Sequence, residues 1–110
     1  MGRFVKGDVV VVPFPFSDLT RSKRRPALVL TELTGDDLIL CQITSQNIHD
    51  IYSIDLCDND FESGGLNKPS NVRPNRLFTA DRQIVLYKAG HLKNAKIQNV
   101  VDALIEILRK

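Results

Sequence analysis

The segment Gly7-Asp8-Val9-Val10-Val11-Val12-Pro13 constrains this chain more than any other. Four successive valines are β-branched, stiff at χ1 and bounded by Gly and Pro, which predicts a strand apolar on both faces and argues against a helix. Pro13 and Pro15 remove backbone donors, so the strand is expected to leave its sheet there. Further short runs repeat the pattern. Pro26 opens an apolar run over 26–32, and Thr34-Gly35-Asp36-Asp37 reads as a hairpin turn with Gly35 and Asp36 as its loop. A third strand is expected over 38–46, a weaker fourth over 50–56, a short irregular one around Val72, Leu77 and Phe78, and a last one over 83–88 that Gly90 ends. Turn-rich loop is expected over 57–65. Only the C-terminus changes period: Ile97, Val100, Val101, Leu104, Ile105 and Leu108 form the stripe of one amphipathic helix, with Asn94 as its N-cap. Five or six strands and one terminal helix predict a mainly β domain, a small curled antiparallel sheet or barrel.

At 110 residues this is one domain, spanning 1–110, with enough buried surface to fold on packing alone. Cys41 and Cys57 stand sixteen apart without a CxxC pair or a histidine at ligand spacing, so a reduced cytoplasmic protein with no bound metal or cofactor is expected. No apolar run reaches the length of a membrane span. The net charge of +2 conceals a segregation: residues 1–25 hold six Lys or Arg against two acids, 26–62 hold eight acids and no base, and 63–110 hold nine bases against three acids. Two basic blocks around an acidic one can fold into a surface with a positive face, the footprint of a polyanion binder, or can interleave and neutralise each other.

Polar chemistry concentrates at the open end of the 26–46 hairpin. With Gly35 and Asp36 as the loop, paired residues have numbers summing to 71, which sets Arg25 and Thr44 on one face as diagonal neighbours. Around them lie Arg21, Lys23 and Arg24 on one side and Ser45, Gln46, Asn47 and His49 on the other. Arg24, of opposite strand parity, is expected to face elsewhere. Other chemistries fail on the residues. The segment from Asp58 begins like a calcium loop but has Ser63 for the required Gly and Pro69 for the final Glu. Gly-rich phosphate loops and GxSxG are absent, and a two-histidine acid/base pair would need His49 and His91 to meet.

Three blocks, Gly7-Asp8-Val9-Val10 through Pro13-Phe14-Pro15-Phe16-Ser17-Asp18, Arg24-Arg25-Pro26-Ala27-Leu28-Val29-Leu30, and Gln42-Ile43-Thr44-Ser45-Gln46, resemble in order and spacing the MazF/PemK toxin family. A fourth, Ser70-Asn71-Val72 through Leu77-Phe78-Thr79-Ala80-Asp81, is similar too. The resemblance implies an SH3-like curled antiparallel β-barrel with a C-terminal amphipathic helix. It also implies a homodimer, a metal-independent endoribonuclease cutting single-stranded RNA at short sequences, and a cognate antitoxin that holds it inactive. Catalysis in the family rests on the positions of Arg25 and Thr44. RNA contacts are then expected from Arg21, Lys23, Arg24, Ser45, Gln46 and Asn47, and from Arg73, Asn75 and Arg76, with His49 as a possible acid or base. The chain departs from many relatives in its compact loop before Arg25 and in Asn75, where an acid is common. The chemistry that suits such a site is attack of a 2′-hydroxyl on the adjacent phosphorus, leaving a 2′,3′-cyclic phosphate and a 5′-hydroxyl. Two alternatives keep the barrel without the cleavage: a passive RNA binder, and a poison of a protein target such as gyrase, for which the chain lacks the apolar, tryptophan-bearing C-terminus.

Overall fold

The valine run forms the strand its chemistry dictates. In the computed structural model, which describes residues 3–15, 22–45 and 50–110, Val9, Val10, Val11 and Val12 are all buried. Strands β1 (Asp8–Pro15), β2 (Ser22–Glu32), β3 (Asp37–Thr44), β4 (Ile54–Leu56), β5 (Phe61–Gly64), β6 (Ser70–Asp81) and β7 (Tyr87–Leu92) precede a single helix, α1 (Asn94–Leu108). They form one antiparallel sheet in the order β4-β6-β3-β2-β1-β7-β5, curled into a half-barrel. Among the described residues, no helix is long and apolar enough to cross a membrane.

Alternate residues of the central strands build two cores. On one face Val9, Leu28, Leu30, Cys41, Ile43 and Val72 pack with Leu92 and with Ile97 and Val100 of α1. On the other, Val10, Val12, Ala27, Val29, Leu38 and Leu40 are covered by Phe4, Phe78, Ala80 and Val85. The chain thus closes both faces of its own sheet, each fully buried Val or Leu stabilising it by about 1.5–3 kcal/mol. Burial also pushes the Cys41 thiol up to about 12, while Cys57 is exposed; both are free.

Several strand limits differ from the sequence reading. β1 does not leave the sheet at Pro13: it pairs with β2 as far as Pro15↔Ser22. The Val11 carbonyl accepts from the Leu86 amide (2.8 Å), so Val11, Pro13 and Pro15 direct their backbone groups to the β7 side, and β7 pairing ends at Val11. The missing donors therefore fall where no ladder needs them. β2 begins four residues before Pro26 and includes Lys23, Arg24 and Arg25. Expected loop at 57–65 is a 3-10 turn (Asp58–Asp60) followed by β5. The last strand is not 83–88, where a 3-10 turn covers Arg82–Ile84, but continues through Gly90. That glycine lets β5 approach, since a Cβ there would lie 2.5 Å from the Ser63 carbonyl oxygen. Lys93, not Asn94, is the N-cap of α1.

Charge segregation along the chain is partly undone in space. Glu32 meets Arg3 (3.1 Å) and Arg82 (3.5 Å), Asp50 meets Arg73 (2.7 Å), and Asp60 meets Lys96 (3.5 Å). Four of the eight acids of the middle block, Glu32, Asp36, Asp50 and Asp60, thus meet bases of the outer two.

Candidate nucleic-acid interface

Where two neighbouring strands stop pairing, a sheet opens, and this happens between β2 and β3. The hairpin loop has three residues, closed by the Leu33 amide on the Asp37 carbonyl (2.9 Å), with Gly35 at φ +89°. It starts the ladder at Glu32↔Leu38, and a bulge between Val29 and Thr31 shifts it once more, to Val29↔Leu40 and Ala27↔Gln42. The paired numbers therefore sum to 69 instead of the expected 71. A shift of two leaves every side chain on its expected face, because strand alternation has period two. Arg25 and Thr44 stay on a common face, and the register carried onward sets them across from each other.

The ladder ends at Ala27↔Gln42. Beyond it β2 follows β1, with Val12↔Arg25 and Pro13↔Arg24, while β3 follows β6, with Ile43↔Val72 and Thr44↔Asn71. A cavity of about 330 Å³ lies at the gap, lined by Arg24, Arg25, Pro26, Ile43, Thr44 and Ser45, by Leu66, Asn67 and Lys68 of the β5–β6 connection and by Ser70 at the start of β6. Arg25 is half-buried, Thr44 is 4% exposed, and Arg24, Ser45 and Lys68 are open to solvent. Such a cavity offers a planar guanidinium fork and a hydroxyl to one phosphate, with further cations at its rim. Arg24 corrects the parity argument: it borders the same cavity as Arg25, since strands that part expose their rim from both faces.

The remaining sequence candidates divide. Lys23 is exposed on β2. Arg73 is buried on β6, its guanidinium 2.7 Å from Asp50. Asn75 and Arg76 belong to a bulge: β6 passes from Leu77↔Cys41 to Arg73↔Gln42 with three residues in excess, and these two, exposed, line a separate cavity of about 390 Å³ with Gln42. Arg21, Gln46, Asn47 and His49 lie outside the described residues. The other histidine, His91, is held by Asp8 (Nδ1 to Oδ1, 2.7 Å), whose carboxylate is buried between β1 and β7.

Asn67 and Lys68, in the connection before β6, had no role in the sequence reading, and Ser70 entered it only as the first residue of the fourth family-like block. The Ser70 hydroxyl donates to the Lys68 carbonyl (2.9 Å), folding that connection onto the cavity. Its sequence signal was weak: an Asn-Lys-Pro-Ser turn opening the second basic block.

Three solved structures share this architecture. MazF from Deinococcus radiodurans superposes with a TM-score of 0.78 at 20% identity, each chain covered over 100% of its length. The MazE-MazF structure (Form-II) from the same organism gives 0.77 at 21%, covering 98% of this chain and 97% of the other. An endoribonuclease from a mycobacterial species gives 0.73 at 15%, covering 98% and 93%. At such identities the likeness is one of fold. No curated protein sequence matches the chain. Residues 5–108, however, match the family described as PemK-like, MazF-like toxin of type II toxin-antitoxin system, and the chain belongs to that family.

Proposed function

We propose that this chain is a sequence-specific, metal-independent endoribonuclease that cuts single-stranded RNA, the toxin of a toxin-antitoxin pair acting in the cytoplasm as a homodimer. The observation that carries this reading is the cavity at the β2–β3 gap, where Arg25 and Thr44 line one space within a chain of this family. In the reaction, the 2′-oxygen forms a bond to the adjacent phosphorus and the bond to the 5′-oxygen breaks. The products are a 2′,3′-cyclic phosphate and a 5′-hydroxyl. Neither metal nor water enters that step. Arg25 donates to the phosphate oxygens as charge develops, and Thr44 adds a neutral donor; preorganised donors of this kind are usually the largest catalytic contribution. A free guanidinium is a poor base, so a further group is needed for the 2′-proton, and His49, outside the described residues, is the candidate the sequence offers.

Structures of the MazE-MazF kind among the fold relatives support an antitoxin partner. An acidic, apolar segment would gain charge-assisted bonds at Lys23, Arg24 and Arg25 as it folds, and would block RNA. Incubation of the purified protein with mixed-sequence single-stranded RNA in EDTA tests the reading. Fragments ending in cyclic phosphate are expected. RNA bound but intact identifies a passive binder, and RNA neither bound nor cut points to a protein target.

A further inference from the structure

The Arg25 cavity is the first of three adjoining ones, and Lys68 is on the wall of all three. The second, about 650 Å³, shares Ser45 and Ser70 with the first and Leu56, Cys57 and Pro69 with the third. That third cavity, about 260 Å³, has apolar walls from Phe61 and Leu66 and polar groups from Asp58 and Asn67. Its size suits a single planar ring system, being below the volume of pockets for larger ligands.

Charge changes sign along this path. Arg24 and Arg25 border only its near end, Lys68 runs beside all three cavities, and carboxylates enter further along, Asp55 at the second cavity and Asp58 at the third. Asp60, two residues on, is engaged by the Cys57 amide (2.9 Å) and Lys96. The Asp58 side chain has neither an ion pair nor a hydrogen bond among the described residues, and its Oδ1 stands beside Gly65, 3.6 Å from where a Cβ would be. A nucleic-acid strand laid along the path keeps its phosphates over the cations, because the carboxylate repels them from the far cavity. What turns into that cavity must have flat apolar faces and donate hydrogen bonds. A splayed nucleobase with an exocyclic amino group has both properties, and a carboxylate accepts from such a group. Uracil presents carbonyl oxygens in its place.

Resting on the endoribonuclease reading, we propose that the cavity beside Asp58 is a base-specificity subsite that holds one unstacked, amino-bearing base of the RNA substrate, while Lys68 contacts the neighbouring phosphate. Asp58 and Asn67 read the base edge, and Phe61 and Leu66 face its rings.

The test maps 5′-hydroxyl ends after cleavage of a randomised single-stranded RNA in EDTA by the wild type, Asp58→Asn and Lys68→Ala. For the wild type, uracil is disfavoured at one fixed offset from the cut by about tenfold, the scale of one base-edge contact. Asp58→Asn removes most of that discrimination and leaves other positions unchanged. Lys68→Ala keeps the preference, but lowers affinity and the salt slope of binding by about 0.7, the value of one phosphate on a single strand. A bulky maleimide on Cys57, which is exposed while Cys41 is buried, reproduces the loss at the same offset. Identical cleavage profiles for the wild type and Asp58→Asn overturn the subsite and leave the endoribonuclease reading standing. A wild type that cuts no RNA overturns that reading, and the subsite with it.

Discussion

Replacing Asp50 by Asn removes the counter-charge of Arg73, the most buried cation among the ion pairs of the described residues, and little else. The Asp50 Oδ1 caps its own turn, accepting from the amides of Tyr52 (3.0 Å) and Ser53 (2.9 Å), and the Asn carbonyl keeps that role. Oδ2, at 2.7 Å from Arg73 Nη2, becomes an amide nitrogen facing a donor. The Arg73 side chain is only 11% exposed, and its Nε has no hydrogen-bond partner among the described residues, so Asp50 is its compensation. Breaking a fully buried pair costs about 3–5 kcal/mol. Asp50 is 35% exposed, and water at that carboxylate reduces the figure to about 2 kcal/mol. At about 4 °C per kcal/mol, Tm falls by about 8 °C. Arg73→Met leaves behind the better hydrated partner and keeps the aliphatic packing, so its cost is nearer 1 kcal/mol. Calorimetry of both variants and the double mutant at low and high salt measures the asymmetry. Asp50→Asn within 2 °C of the wild type, or Arg73→Met losing as much as Asp50→Asn, refutes the reasoning.

Gly90→Ala should lower Tm by about 5 °C or more, since its Cβ meets the Ser63 carbonyl oxygen at 2.5 Å and the Gly65 amide nitrogen at 3.0 Å, backbone that gives way only at about 1–3 kcal/mol; an unchanged melt contradicts the close β5–β7 approach. Stability should also fall in acid. The hydrogen bond from Arg3 holds Glu32 below its ordinary range, and at Asp60 burial pushes upward but is outweighed by the Cys57 amide and Lys96. Both contributions are complete above the ordinary carboxylate range and are lost as pH falls through and below it. Urea midpoints at pH 6 and pH 3 should therefore differ less in a Glu32→Gln, Asp60→Asn variant than in the wild type, and equal differences would contradict the assignment. Sedimentation at micromolar concentration should give a dimer, which would shelter the apolar surface left exposed at Ile84, Leu86 and Tyr87; a monomer contradicts this.

Local chemistry made the centre of the sheet legible and its margins not. Val9–Val12, the Leu28–Leu30 run and the start of the α1 stripe, Ile97 and Val100, are buried as their chemistry dictates, whereas Ile105 and Leu108 at the end of that stripe are exposed. Register was not legible, because neither the three-residue loop nor the bulge near Leu30 has a sequence signature stronger than Gly35 itself. Arg25 and Thr44 survived the error since two successive one-residue shifts restore strand parity. β6 and β7 were misjudged for a related reason: Pro74, Asn75, Arg76 and Gly90 read as interruptions, whereas a sheet absorbs the first three in a bulge and uses the glycine for close approach. Charge blocks misled in part, as pairing in space joined Asp50 to Arg73 and Glu32 to Arg3. Lys68 belongs to the site only because the chain folds back after Gly65, which one residue cannot announce.

Single-turnover cleavage of RNA at saturating protein, in EDTA, compares Arg25→Ala, Thr44→Ala and Arg24→Ala directly. If the β2–β3 gap is the active site, Arg25→Ala lowers the rate about a hundredfold or more, the scale of one lost oxyanion donor. Thr44→Ala lowers it less, a neutral donor being weaker than a charged one. Arg24→Ala weakens RNA binding and flattens its salt dependence, with saturated turnover nearly intact. Full activity in Arg25→Ala, or equal losses in the Arg24 and Arg25 variants, would contradict the account.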